Sequence, residues 1–116
     1  HSRDFTYIDD IVEGIIKSSK RKNCVNKKLN TNLEILNIGC GAPSKLMYCI
    51  NLIEKHLGKT AKKKFLSMQK GDMHKTFAST KKIKKLLNYK TNVDLNEGIK
   101  RFILWYKNYY YKKNDK

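Results

Sequence analysis

Apolar residues recur every three or four positions in four separate stretches of the sequence, and this pattern constrains the fold more than any other feature. Such spacing places apolar side chains on one face of an α-helix. The first stretch contains Ile8, Ile11 and Val12, and the last contains Ile99 and Phe102. We therefore expect four helices, over 9–20, 44–57, 80–87 and from 94 toward the C-terminus.

Residues that suit helix ends flank these stretches. Asp9 or Asp10 is expected to cap the first helix and Ser44 the second, because short polar side chains accept hydrogen bonds from the free N–H groups of a first turn. Gly58 suits a C-terminal stop, since glycine adopts a left-handed backbone without strain. Asp94, followed three residues later by a glutamate, predicts a capping box at the start of the last helix.

Only short runs suit β-strands. We expect strands over 33–38 and 62–67, with polar loops over 21–32 and 68–79. A few short strands among about four helices predict the α/β class, here as an α+β fragment, because a complete doubly wound sheet needs more strands. The whole chain, 1–116, is taken as one portion of a domain.

The net charge of +16 suggests a nucleic-acid partner at first sight. However, only three of the 26 basic residues are Arg, the side chain that best recognises bases and phosphates. The lysines are spread along the whole chain, so we interpret them as solvated faces and do not expect a nucleic-acid partner. A basic nucleic-acid-binding module stays open as an alternative.

Neither cysteine nor histidine shows the spacing of a metal site. The odd number of cysteines and the lack of a Cys-x-x-Cys pair argue against a disulfide framework, so we expect a reducing, cytoplasmic compartment and no metal. No apolar run approaches the roughly 20 residues that span a bilayer, so no membrane contact is expected. The residues concerned are Cys24, Cys40, Cys49, His1, His56 and His74.

A strand-like run that ends in Gly39-Cys40-Gly41 suggests a cofactor turn, because backbone N–H groups after a strand can approach a ligand. It resembles the first motif of S-adenosylmethionine-dependent methyltransferases, and a methyltransferase fragment stays open as a second alternative. Against it, Pro43 removes a backbone donor, and no acid follows about 20 residues later to bind a ribose. We expect a structural turn here, with no cofactor-binding residue.

Five motifs follow one another along almost the whole chain. They are RDFTYIDD at 3–10, NIG at 37–39, MQKGD at 68–72, LLNYK at 86–90 and LNEGI at 95–99. In this order they resemble the NAD-dependent nucleotide-sugar epimerases and dehydratases of the extended short-chain dehydrogenase/reductase family. The MQKGD run is most similar to UDP-glucuronate 4-epimerase-type enzymes.

The resemblance implies three substrate-binding residues. Arg3 would bind the nucleotide diphosphate, Gln69 would contact the nucleotide, and Asp72 would accept hydrogen bonds from the ribose hydroxyls. The chain would be the C-terminal substrate-binding part of an extended Rossmann-type epimerase. The NAD-binding part and the catalytic Tyr and Lys would lie in an N-terminal part that this sequence lacks, and the missing initial Met agrees with such a piece.

The same resemblance implies what the intact enzyme does. Bound NAD would oxidise one carbon of a UDP-sugar, usually C4, and return the hydride to the other face, so that the sugar epimers interconvert. The intact enzyme is expected to be a homodimer. In this chain, Tyr109-x-x-x-Lys113 matches the spacing of the family's catalytic pair, but it lies in a Tyr- and Lys-rich tail and is attributed to chance.

Overall fold

A computed structural model describes residues 1–21 and 34–110 of the chain. Within these residues it contains four helices and one two-stranded antiparallel sheet, which confirms the predicted α+β architecture. Residues 22–32 of the predicted loop over 21–32, and Lys113, lie outside the described residues. The elements are β1 Ser2–Arg3, α1 Ile8–Ser19, β2 Ser44–Lys45, α2 Leu46–Leu57, α3 Lys81–Leu87 and α4 Leu95–Tyr110.

The helix ends follow the sequence in part. The side chain of Asp94 caps α4 by accepting a hydrogen bond from the N–H of Glu97 at 2.8 Å. Gly58 ends α2 with a left-handed backbone, φ 70°. The predicted caps of the first two helices are wrong: α1 and α2 have no side-chain cap, and Ser44 belongs to β2 instead.

Neither predicted strand forms in the described part of the chain. Residues 34–38 and 62–67 are not in β-strands, and Leu33 lies outside the described residues. Ile35, Phe65 and Leu66 are 70%, 77% and 74% exposed, so their apolar side chains do not mark a buried strand. A strand forms only where a neighbouring backbone supplies hydrogen bonds, and sequence alone does not reveal that neighbour.

The core is small and lies where the helices meet. Its buried apolar residues are Cys49 and Leu52 on α2, Ile83 on α3, Tyr89 in the segment between α3 and α4, and Ile103 on α4. Helix α2 packs against α4. Helix α2 turns Cys49 and Leu52 inward and leaves Leu46, at its first position, 40% exposed.

Helix α1 is anchored along its inner side. A Cβ placed on Gly14 would lie 2.9 Å from Cγ2 of Ile38, so only glycine allows this close approach. The carboxylate of Asp10, which is 2% exposed, accepts hydrogen bonds from the N–H groups of Asn92 and Val93 at 2.9 and 3.2 Å. These contacts fix the segment that begins with β1 against the rest of the chain.

The outer side of α1 is apolar and exposed. Ile8, Val12, Ile15 and Ile16 are between 44% and 60% exposed. We call these four residues the outer α1 face. Among the helices of the described residues, none is long and apolar enough to cross a membrane.

Candidate functional site

Strand β1 lies between two other segments of the chain. On one side it pairs antiparallel with β2, with Ser2 opposite Lys45 and Arg3 opposite Ser44. On the other side the N–H of Ser2 donates to the carbonyl of His74 at 2.9 Å, and the N–H of Thr76 donates to the carbonyl of Ser2 at 3.1 Å. The segment that follows Asp72 therefore runs directly beside β1.

Arg3 extends from β1 toward the start of that segment. Its Nη2 donates to Oδ1 of Asp72 at 2.7 Å, and its Nη1 donates to the carbonyl of Met73 at 2.7 Å and to that of Ser2 at 3.0 Å. Its side chain remains 28% exposed. A guanidinium has further N–H donors beyond those used in these bonds, so Arg3 can still bind an anion.

A tight turn presents Asp72. The N–H of Asp72 donates to the carbonyl of Gln69 at 3.2 Å, and Gly71 within the turn has φ 90°, a conformation that favours glycine. Oδ1 of Asp72 also accepts from the N–H of Met73 at 2.8 Å. The turn residues of the MQKGD motif therefore serve to hold one carboxylate opposite Arg3.

The structure brings together two of the three predicted site residues directly. Arg3 and Asp72 form an ion pair across 69 positions of sequence. Gln69 lies on the same turn and is exposed, and it contributes its backbone carbonyl to the turn.

Two neighbours of this pair were not singled out from the sequence. Nδ1 of His1 lies 3.7 Å from Oδ2 of Asp72, and the rings of His1 and His74 stack with centroids 5.8 Å apart. No motif spacing points to either histidine, so only the fold reveals that they border the pair.

The Gly39-Cys40-Gly41 turn does not fit a cofactor. The N–H of Gly41 donates to the carboxylate of Asp4 at 3.0 Å, and the N–H of Cys40 donates to the hydroxyl of Thr6 at 2.9 Å. These donors are used inside the protein, so they are not available to a dinucleotide or to S-adenosylmethionine. The turn is architectural, and the residues of this chain do not fit NAD there.

Two residues outside this region have perturbed acidities with simple causes. Burial raises the pKa of the Tyr89 hydroxyl, and the charge of Asp10 adds to the effect. Burial also raises the pKa of the Cys49 thiol. Both groups are thus kept neutral in the core. In the described part of the chain, no group of three or more His, Cys, Asp or Glu residues could hold a metal ion.

The sequence and the fold of this chain are similar to those of known proteins. A probable UDP-glucuronate 4-epimerase of Rhizobium meliloti is 38% identical over 116 residues, which covers 90% of this chain and 34% of that protein. A UDP-glucuronic acid 4-epimerase from Bacillus cereus, solved in complex with UDP-glucuronic acid and NAD, superposes with a TM-score of 0.78. That match has 33% identity and covers 92% of this chain and 32% of the other. The chain is homologous to part of the UDP-glucuronate 4-epimerases.

This relationship confirms the family that the five motifs indicate, and it favours that family over the methyltransferase and nucleic-acid alternatives. An uncharacterised protein of Methanocaldococcus jannaschii is 50% identical over 104 residues, covering 90% of this chain and 29% of that protein. The chain thus spans about a third of the length of the curated relatives that it matches. No family profile matches the chain.

Proposed function

We propose that this chain is the C-terminal, nucleotide-sugar-binding part of an NAD-dependent UDP-sugar epimerase. In this proposal Arg3 binds the diphosphate, Asp72 binds the ribose hydroxyls and Gln69 contacts the nucleotide. The observation that carries the proposal is the direct contact between Arg3 and Asp72, two residues of separate family motifs. The relatives of this chain include proteins named as UDP-glucuronate 4-epimerases.

The chemistry of the pair supports these roles. Arginine presents a planar set of donors that matches phosphate oxygens, and it stays charged at all physiological pH values. The carboxylate of Asp72 has an oxygen, Oδ2, that lies beyond hydrogen-bonding distance of His1 at 3.7 Å. That oxygen suits vicinal hydroxyls, because a carboxylate is an acceptor only. Both side chains are accessible, at 28% and 44% exposure.

The whole protein would carry out the reaction, with UDP-glucuronate as the preferred test substrate. We assign NAD and the catalytic Tyr and Lys to an N-terminal part, since the backbone donors of Cys40 and Gly41 are already used. The residues of this chain would bind and orient the nucleotide, which raises the effective concentration of the sugar at the reactive centre. A homodimer and a cytoplasmic location are further parts of the proposal.

The test is steady-state kinetics of the complete enzyme with UDP-glucuronate. Arg3→Ala and Asp72→Ala are each expected to raise KM by about tenfold or more, because each removes a charged hydrogen-bonding partner of the substrate. Gln69→Ala is expected to have a smaller effect of the same sign. Arg101→Ala is the matched control: this arginine lies on α4, pairs with Glu97 and is 46% exposed.

Unchanged KM in both Arg3→Ala and Asp72→Ala would contradict the site assignment. An equal rise in the Arg101→Ala variant would show that the effect is one of general charge rather than of this site. Lack of any turnover of UDP-sugars by the complete unmodified enzyme would remove the proposed activity itself.

A further inference from the structure

The residue beside Arg3 connects three segments that are distant in sequence. Oδ2 of Asp4 accepts a hydrogen bond from the N–H of Ala78 at 2.9 Å, and both carboxylate oxygens lie 3.0 Å from the N–H of Gly41. The N–H of Asp4 donates to Oγ1 of Thr76 at 3.2 Å. We call Asp4, Gly41, Thr76 and Ala78 the Asp4 junction.

The Asp4 junction lies where the Asp72 segment leaves β1. Backbone bonds from Ser2 to His74 and from Thr76 to Ser2 hold the first part of that segment. Beyond Thr76, the bond from Ala78 to Asp4 continues the same alignment. Asp4 therefore sets the register of the backbone that carries Asp72 relative to the strand that carries Arg3.

The packing around the carboxylate leaves it little freedom. A Cβ on Gly39 would lie 2.7 Å from Cβ of Ala78 and 3.1 Å from Oδ2 of Asp4. Only glycine fits at position 39, because any side chain there would clash with Ala78 and Asp4. A carboxylate enclosed in this way and bonded to two N–H groups has one orientation.

Both oxygens of Asp4 act as acceptors: Oδ2 accepts from the N–H groups of Ala78 and Gly41, and Oδ1 shares the N–H of Gly41. A carboxylate accepts at both oxygens, whereas the amide of asparagine replaces one oxygen with a donor. In Asp4→Asn the amide nitrogen would lie 3.0 Å from the N–H of Gly41 in either orientation, because both oxygens lie at that distance. A donor would then face a donor, and the side chain could not keep the place of the carboxylate. The shape of the side chain stays the same, so this substitution changes the acceptor and the charge without changing the packing.

We propose that Asp4 is a positioning residue for substrate binding: it fixes the Asp72 segment beside β1 so that Arg3 and Asp72 face the nucleotide together. This inference rests on the proposed function, because it concerns the same site. It deepens that function by assigning the alignment of the two binding residues to a third residue that does not touch the substrate. Pre-alignment lowers the ordering cost of binding, and its loss weakens affinity.

Asp10 provides a matched control. Like Asp4, it is an aspartate of the first motif whose carboxylate accepts from two backbone N–H groups of a distant segment, those of Asn92 and Val93. Unlike Asp4, it anchors α1 to the segment before α4 and does not contact the strand or the segment that carry Arg3 and Asp72. Asp4→Asn and Asp10→Asn thus remove the same kind of bond at two places.

The experiment measures thermal stability, kcat and KM for UDP-glucuronate, and the affinity for UDP, on the complete enzyme. Both variants are expected to lose stability. Asp4→Asn is expected to raise KM and the Kd for UDP by about tenfold, whereas Asp10→Asn leaves both near the unmodified values. A purely structural role would lower only the folded fraction, which reduces apparent kcat and leaves KM unchanged.

Two comparisons separate the possible failures. If Arg3→Ala raises KM and Asp4→Asn behaves like Asp10→Asn, the positioning role is wrong and the binding role of Arg3 stands. If Arg3→Ala and Asp72→Ala both leave KM unchanged, the proposed site itself is wrong. In the double variant, Asp4→Asn should add little to Arg3→Ala, because it acts through the same contact.

A milder variant covers the case in which Asp4→Asn yields no folded enzyme. Thr76→Val keeps the shape of the side chain and removes the hydroxyl that accepts from the N–H of Asp4. It is expected to raise KM severalfold with little loss of stability. An unchanged KM in folded Thr76→Val enzyme would then overturn the proposal.

Discussion

The ring of Tyr89 lies at the centre of the core, where α1 passes over it. Tyr89 is fully buried, and its hydroxyl makes no hydrogen bond within the described part of the chain. A buried polar group without a partner costs free energy, because it has given up its bonds to water. The hydroxyl of Tyr89 therefore lowers the free energy of unfolding, whereas the ring fills the core.

Tyr89→Phe is expected to stabilise the protein, since it removes the unpaired hydroxyl and keeps the ring. The gain should be of the order of 1 kcal/mol, within the range for an unsatisfied buried group. Urea unfolding followed by circular dichroism measures it.

Gly14→Ala, on the helix that crosses the same ring, is the control of opposite sign. Its Cβ would lie 2.9 Å from Ile38 and 3.2 Å from Tyr89, so a loss of about 1–3 kcal/mol is expected from overpacking. A loss of stability in Tyr89→Phe would show that the hydroxyl has a partner in solution.

Sequence reasoning reached some residues of the site and missed others. Arg3, Gln69 and Asp72 could be named because they stand in motifs whose family resemblance carries a role. The contact between Arg3 and Asp72 could not, because it depends on which segments lie side by side. Asp4 was missed for the same reason: its partners Gly41 and Ala78 are 37 and 74 positions away.

At the scale of elements, helices were predictable and strands were not. A helix forms its hydrogen bonds within one stretch of the chain. The spacing of the apolar residues was therefore sufficient to place α1, α3 and α4 within a residue or two. β1 and β2 are two residues each, and they exist only because Ser2 and Arg3 meet Ser44 and Lys45. No local sequence pattern predicts this pairing of β1 with β2.

The C-terminal end of α3 offers a test of local backbone strain. Asn88 ends this helix in the left-handed region, with φ 48°, where asparagine is tolerated and glycine is unstrained. Asn88→Ala is expected to cost about 1 kcal/mol, and Asn88→Gly to be neutral or slightly stabilising. Thermal unfolding of the two variants checks this. Equal stability of both would mean that the helix ends differently in solution.

The C-terminal end of α2 offers a test by pH. A hydrogen bond from the Lys63 ammonium, and then one from the N–H of Ala61, hold the pKa of the Glu54 carboxyl below its ordinary value. Since the folded pKa is lower than the unfolded one, this stabilisation is complete above the unfolded pKa and is lost as the pH falls through the folded pKa.

Glu54→Gln should accordingly reduce the melting temperature at neutral pH, and the difference from the unmodified protein should shrink as the solution is acidified below about pH 4. Glu13→Gln is the control and should show less effect. Glu13 forms a half-exposed i,i+4 pair with Lys17, and its other oxygen accepts a hydrogen bond from the side chain of Asn92. A difference for Glu54→Gln that does not vary with pH would contradict this account.

On the scale of the whole molecule, the chain is extended and its apolar surface is incompletely covered. Its radius of gyration is 18.3 Å, whereas a compact domain of this length has about 13 Å. The outer α1 face and the aromatic side chains of α4, among them Trp105 at 51% exposure, lie open. Large exposed apolar surfaces on a soluble protein favour association with another surface.

The isolated chain is expected to self-associate, and more strongly as salt is added. Its net charge of +16 opposes association at low ionic strength, and salt screens that repulsion while the apolar contacts persist. Light scattering between about 0.05 and 0.5 M salt measures the effect. Ile15→Lys, on the outer α1 face, should reduce the association, whereas Ser19→Lys on the same helix should change it less. A monomer at all salt concentrations would contradict this expectation.

The span of the Asp4 junction has a consequence for synthesis of the chain. Asp4 leaves the ribosome well before Ala78, its farthest partner, which follows 74 residues later. At about 5–20 residues per second, ribosomal elongation across that interval takes roughly 4–15 s. For this time the carboxylate of Asp4 is without the N–H of Ala78. For most of it, β1 also lacks its backbone hydrogen bonds to His74 and Thr76. The substrate-binding edge is therefore a late product of translation, although the first motif of the sequence encodes half of it.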